Sequence, residues 1–217
     1  MIKKYSIEEL LKYNEKISEE IDYKGAVIVK EIDRGPINIL YNEAIDFFNS
    51  HLKEKYLLDE LRGYFLEDLE DGNIRESIKI NSTVFENDED DEIKQERWPF
   101  YQDFPVLEKN LGIIYDKWLE ICDSLFRGVG QGILSVFKYH QDDKIKFKLQ
   151  EHHDDSYFVA FAPLGEPLEI YINNFWYNHQ LKDREALLIA PRIKHRVLNK
   201  FNKERYSITF LYPIEPI

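Results

Sequence analysis

Apolar positions recur in two different rhythms along this chain, and the change falls near residue 130. Before it, the spacing is mainly helical. The opening "MIKKYSIEELLKYNEKISEE" is amphipathic, and "GAVIVKEI" (25–32) reads as a short apolar strand. After it, Ile39, Leu40, Ala44, Phe47 and Phe48 mark a helix with Pro36 near its start. Gly63 is the predicted stop for that helix or a kinked continuation of it. From about 66 to 104 the pattern is polar and irregular. A second long helix is predicted in "FPVLEKNLGIIYDKWLEICDSLFRGVG". Leu107, Leu111, Ile114, Trp118, Ile121 and Leu125 lie along one face of it, and Gly128 and Gly130 end it.

Beyond residue 130 the runs become short, β-branched and aromatic. "ILSVFKY", "KIKFKLQ", "YFVAFAP", "LEIYI", "NFWYNHQ", "ALLIAP", "KHRVLNK" and "RYSITFLY" are punctuated by Gly, Pro, Asn and Asp and read as eight strands. So many strands in so short a stretch predict a compact sandwich or barrel. The fold class expected is α+β in one domain over 1–217. Its 1–130 part is a mainly helical support, and 131–217 is a β core carrying the chemistry.

Charge and composition narrow the function. The net charge is −12, and no basic stripe suited to a phosphate backbone is present, which argues against a nucleic-acid partner. The acid run "ENDEDDE" (86–92) reads as a solvated loop. Cys122 is the single cysteine and falls in an apolar helical stretch. It reads as a core residue, in a chain without a disulfide framework and suited to a reducing compartment. No signal peptide or membrane span is evident. A soluble, cytoplasmic protein with a small-molecule substrate is expected, without a membrane or nucleic-acid partner.

The densest chemistry lies in "EHHDDSYF" (151–158), which holds two overlapping His-x-Asp pairs, His152/Asp154 and His153/Asp155. On a strand, residues two apart point to the same side. A His-x-Asp pair joined by a distant histidine would make a facial triad, a donor set that suits non-haem Fe(II). The chain has six histidines, and His51, His140, His179 and His195 are the candidates for the third ligand. His195 stands out because Arg205 follows ten residues later, with Ser207 on the same face of an apolar strand. The apolar Ile208, Phe210 and Tyr212 mark that run as buried. An inward arginine is costly to bury without an anion, which a carboxylate ligand would supply.

These residues resemble a known family. His-x-Asp, a distal "HRV" (195–197) and "RYS" (205–207) at this spacing resemble the iron(II)/2-oxoglutarate-dependent dioxygenases of the isopenicillin-N-synthase-like branch. "SVFKYHQ" resembles the strand whose tyrosine binds the cosubstrate, with Tyr139 at that tyrosine and Phe137 in place of an asparagine. "GAVIVKEI", "EAIDFFNSHLKEK", "RGYF…RESIKIN" and "WPFYQDFPVLEKN" extend the likeness over most of the chain. The resemblance implies a double-stranded β-helix (jelly-roll, cupin-like) with N-terminal helices packed on one side. It implies Fe(II) held by His152, Asp154 and His195, because Ser156 then takes the family's place two residues after the ligand aspartate. It also implies 2-oxoglutarate held by Arg205, Ser207 and Tyr139, and O2-dependent oxidation, by default hydroxylation, of an amino acid or natural-product intermediate with release of succinate and CO2.

The chain departs from the family in a shorter Asp154–His195 interval and in running only five residues past Tyr212, which predicts an open mouth to the site. The alternatives are an O2-dependent oxidase without 2-oxoglutarate, a non-catalytic ligand-binding module, and a zinc hydrolase on the same ligands. Lys146, Lys148 and Arg75 could meet an anionic substrate but are expected to face solvent. Trp98 and Trp176 are candidates to line the pocket, although ordinary core packing is expected for both.

Overall fold

A computed structural model describes residues 2–57, 63–69, 74–81, 100, 102–126, 131–141, 147–200 and 203–214. The strand β1 (Lys4–Ser6) leads into α1 (Ile7–Lys12) through a reciprocal cap. Ser6 Oγ accepts from Glu9 N, and Glu9 Oε2 accepts from Ser6 N, so two donors at the helix start are satisfied. Next come α2 (Asn14–Lys24), β2 (Ala26–Lys30) and α3 (Arg34–Asn49). Asp33 caps α3 by accepting from Gly35 N at 2.9 Å, and Pro36 sits in its first turn, where no intrahelical donor is needed.

The helix ends earlier than Gly63. At Ser50 the backbone is extended, and its hydroxyl caps a separate 3₁₀ turn, His51–Tyr56, by accepting from Leu52 N. Gly63 instead opens a strand, with a φ of 97°. The stretch expected to be irregular contains a hairpin of β3 (Gly63–Asp68) and β4 (Ile74–Asn81). Its alternation was hidden because the second face of "RESIKIN" carries Arg75, Ser77 and Lys79 rather than apolar residues. The acid run at 86–92, Trp98, Lys146, Gly128 and Gly130 lie outside the described residues.

The long helix α4 (Pro105–Phe126) buries all six positions of its predicted face, and Cys122 with them. All eight strands expected after residue 130 are present. They are β5 (Ile133–Tyr139), β6 (Phe147–His152), β7 (Ser156–Phe161), β8 (Glu169–Ile172), β9 (Phe175–Asn178), β10 (Glu185–Ile189), β11 (His195–Leu198) and β12 (Arg205–Pro213).

Among the described residues two sheets result: an eight-stranded one ordered β1-β2-β10-β7-β12-β5-β4-β3, and a four-stranded one ordered β6-β11-β8-β9. The first 130 residues thus supply four strands of the larger sheet as well as the helices. One apolar cluster joins α2, α3 and α4 to the outer face of that sheet, through Val159, Phe161, Ile208, Phe210 and Tyr212 among others. A second lies between the sheets and contains Ile28, Phe158, Ala160, Ile170, Leu187 and Val197. The run "YFVAFA" is apolar on both faces because β7 contributes to both clusters. Ile39 departs from the predicted face of α3 and is 43% exposed.

Gly25 ends α2 in the left-handed region at φ 86°, and its carbonyl accepts from Ala190 N at 2.9 Å. Gly25→Ala is expected to lower stability by about 1–2 kcal/mol, since an L-residue at this φ is strained whatever the space around it. Urea unfolding of the two proteins measures the difference.

Candidate metal centre

Strand β11 runs antiparallel to β6 with His195 directly opposite His152, and their ring centroids are 4.2 Å apart. His152 is the last residue of β6, so Asp154 is not on a strand, contrary to the simple His-x-Asp picture. It lies in the link to β7, which is held where Arg192 N donates to the Asp154 carbonyl at 2.8 Å. This turn-to-turn bond brings Asp154 Oδ2 to 3.4 Å from His195 Nε2. One donor atom from each of His152, Asp154 and His195 lies within 4.8 Å of the others, an arrangement found for no other group among the described residues.

The imidazoles are oriented from behind. His152 Nδ1 is 2.9 Å from the Gln150 carbonyl, and His195 Nδ1 is 3.1 Å from the Ile193 carbonyl. A carbonyl only accepts, so each Nδ1 carries the proton and each Nε2 presents a lone pair. This is the usual support for a metal-binding histidine. His195 Nε2 is buried and, among the described residues, has no hydrogen-bond partner. Phe158 stacks on that ring at 5.1 Å. Burial, helped by the neighbouring His152, pushes the His195 pKa down despite Asp154, which favours the neutral ligand form. Two imidazole nitrogens, one of them buried without a hydrogen-bond partner among the described residues, and one carboxylate converge as a donor set that fits a divalent transition metal such as Fe(II).

The competing pair is not brought to this point. His153 and Asp155 are exposed, and Asp155 Oδ1 lies 3.4 Å from Arg192 Nε. His51 is exposed on the 3₁₀ turn, while His140 Nε2 lies 2.8 Å from Glu76 Oε1. His179 Nε2 is 3.4 Å from Glu185 Oε2.

The triad opens into a cavity of about 510 Å³ between the sheets. Its wall on the large sheet is a set of cross-strand rows. In one, Arg205 on β12 faces Tyr139 on β5, which faces Arg75 on β4. In the next, Ser207 faces Phe137. Arg205, Ser207 and Tyr139 therefore share one wall.

Ile208, Phe210 and Tyr212 alternate away from Arg205 and pack toward the helices, so β12 is buried on both faces. Arg205 is buried and, among the described residues, meets no protein acid at ion-pair distance. Its Nε donates to the Glu166 carbonyl at 2.8 Å and its Nη1 to Ser207 Oγ at 2.8 Å. The Arg205 guanidinium also lies 5.2 Å from the Tyr139 ring centroid. Burial pushes its pKa down, with Tyr139, Tyr41 and Glu166 opposing.

The lysine and arginine expected to face solvent do not. Arg75 lines the cavity, and Lys148 is fully buried with its ammonium donating to the His140 carbonyl at 2.6 Å. Trp176 does not line the cavity; it stacks with Arg196 at 3.8 Å. Lys79 and Phe158 went unremarked in the sequence. Period-two spacing with Arg75 could have placed Lys79, but the stacking of Phe158 on a histidine is a tertiary contact.

No family model matches the sequence, and neither does any curated protein. Solved structures do match over the whole fold. Dioxygenase for auxin oxidation 1 from Arabidopsis thaliana, in a complex with 2-oxoglutarate, has a TM-score of 0.76 at 16% identity, covering 99% of this chain and 93% of its own. A full-length Neurospora crassa protein in complex with alpha-KG has a TM-score of 0.74 at 16% identity, covering 99% and 86%. JOX2 with 2OG, Fe and JA has a TM-score of 0.75 at 16% identity, covering 99% and 75%. The chain has the double-stranded β-helix fold of the 2-oxoglutarate/Fe(II) oxygenases.

In this oxygenase fold the triad sits at the seam between the two sheets. Asp154→Ala is expected to lower Fe(II) affinity at least about 10-fold, whereas Asp155→Ala leaves it within about twofold. Anaerobic metal titration monitors both, and the reverse order would put the ligand in the wrong pair.

Proposed function

We propose that the protein is an Fe(II)- and 2-oxoglutarate-dependent oxygenase acting on a small molecule. The observation that carries this reading is the presence in one cavity of the His152–Asp154–His195 cluster and a buried Arg205 bonded to a carbonyl and a hydroxyl instead of a carboxylate. His152, Asp154 and His195 would hold iron. Arg205 and Ser207, with Tyr139 beside them, would hold the far carboxylate of 2-oxoglutarate by charge-assisted hydrogen bonds. The complexes of the similar structures with 2-oxoglutarate, and of JOX2 with iron as well, support both assignments.

Iron and 2-oxoglutarate together supply oxidation of a substrate C–H bond by O2, most simply to an alcohol, with 2-oxoglutarate converted to succinate and CO2. The chain's own part is to hold and to exclude. The Gln150 and Ile193 carbonyls fix the two imidazoles, so the donors are aimed before any ligand arrives. Phe158, Leu187 and Leu211 line the cavity with apolar surface and keep water from its inner wall. Arg205, always protonated, sets the direction in which a dicarboxylate enters.

The size of the cavity suits a small molecule, and the Neurospora crassa protein forms complexes with thymine and with 5-formyluracil. The "HRV" and "RYS" spacing supports the isopenicillin-N-synthase-like branch. No helix among the described residues is long and apolar enough to cross a membrane. The lone buried Cys122 suits a reducing compartment such as the cytoplasm.

Anaerobic addition of 2-oxoglutarate to the Fe(II)-loaded protein is expected to produce the weak visible charge-transfer band of the chelate, and the band should saturate. Iron binding without a band would favour an oxidase that dispenses with 2-oxoglutarate. Arg205→Ala is expected to weaken 2-oxoglutarate binding by about 10–100-fold, the worth of a charge-assisted hydrogen bond, and to leave Fe(II) affinity within about twofold. Equal loss of both affinities would refute the role given to Arg205.

A further inference from the structure

The cavity holds a second cationic place, separated from Arg205 by the Tyr139 ring. Arg75 on β4 faces Tyr139 from the side opposite Arg205, and its guanidinium lies 4.7 Å from the Phe137 ring centroid and 5.9 Å from that of Tyr139. Lys79 is on the same strand and the same face, and it lines the cavity too. Both are largely buried, with side-chain exposures of 18% and 20%.

Among the described residues they share one carboxylate. Arg75 Nε lies 2.6 Å from Glu67 Oε2, and Lys79 Nζ lies 3.5 Å from Glu67 Oε1. Burial alone would raise the Glu67 pKa, but the bonds from Arg75 and Lys79 outweigh it and hold the carboxyl below its usual range. Among the described residues, two cations and one anion leave one positive charge facing a cavity wall that is apolar at Ile133, Phe137 and Leu211. Such a charge is costly in a low-dielectric setting until an anion joins it. A single excess charge matches a monoanion better than a phosphate dianion. Arg75 Nε is on Glu67 and its guanidinium also donates to the Tyr139 hydroxyl, and the donors left on this planar fork suit a carboxylate.

We propose that Arg75 and Lys79 form the substrate's anion subsite, and that the substrate is a monocarboxylate with an apolar body lying along Phe137. This rests on the oxygenase reading, in which Arg205 is taken by the cosubstrate and, among the described residues, the second cationic place is left open to the substrate.

The test is calorimetric titration of the anaerobic protein, loaded with Fe(II) and 2-oxoglutarate, with phenylacetate and heptanoate and with their primary amides. The carboxylates are expected to bind about tenfold or more tightly than the amides. Arg75→Gln should abolish that preference while leaving the 2-oxoglutarate band within about twofold of its normal midpoint. Glu67→Gln should strengthen carboxylate binding, because the excess charge rises; a purely structural ion pair would weaken in both variants.

The proposal is overturned if the amides bind as well as the acids, if Arg75→Gln keeps the preference, or if no acid binds while the band is intact. It is also overturned if Arg75→Gln weakens 2-oxoglutarate as much as Arg205→Ala does, since Arg75 would then serve the cosubstrate. Absence of the band in the unaltered protein takes down the oxygenase reading itself, and this inference with it.

Discussion

Burial of the large sheet on both faces is the constraint on which the rest of this structure depends. Helices α2, α3 and α4 cover one face and the small sheet covers the other, so strands β7 and β12 contribute side chains to two separate interiors. On β12 the alternation divides chemistry from support. Tyr206, Ile208, Phe210 and Tyr212 pack toward the helices, while Arg205, Ser207 and Thr209 face the cavity. Each large apolar side chain buried on the helix side contributes roughly 1.5–3 kcal/mol. That packing holds the strand in register against β5 and β7, and the register in turn places Arg205 beside Tyr139. A one-residue slip would exchange the two faces and take Arg205 and Ser207 out of the cavity.

The His152–Asp154–His195 cluster obeys the same constraint from the other side. Both histidines come from the small sheet, where His152 and His195 are cross-strand neighbours. The carboxylate comes from the link that crosses to the large sheet. The cluster therefore depends on how closely the sheets approach, and Phe158, from the large sheet, closes that approach by stacking on His195. Preorganisation is visible in the carbonyls behind the rings, which have already chosen the tautomers.

Charge is distributed unevenly in the cavity. Glu67 is shared between Arg75 and Lys79, whereas Arg205 has dipolar partners at hydrogen-bond distance and the Glu166 charge only as a weaker influence. A guanidinium cannot evade burial by losing its proton, so its cost persists until an anion arrives.

Much of this was legible in the sequence where the physical signal was local. The eight β-rich runs and the buried stripe of α4 follow from periodicity and residue type over short windows, and the His-x-Asp…His…Arg-x-Ser spacing was legible through its resemblance to a known family. The β3–β4 hairpin was not legible, because one of its faces lines a polar cavity and the alternation of Arg75, Ser77 and Lys79 looks like surface. The end of α3 was misplaced because Ser50 caps a new turn, a choice settled by side-chain hydrogen bonding and not by hydrophobic spacing. By itself the sequence determined which side chains could chelate a metal and grip a carboxylate, since ligand chemistry belongs to residue types. Only the tertiary structure decided that Asp154 and not Asp155 turns toward His195, and that Arg75 faces inward, because both depend on which strands and turns pack together across the chain.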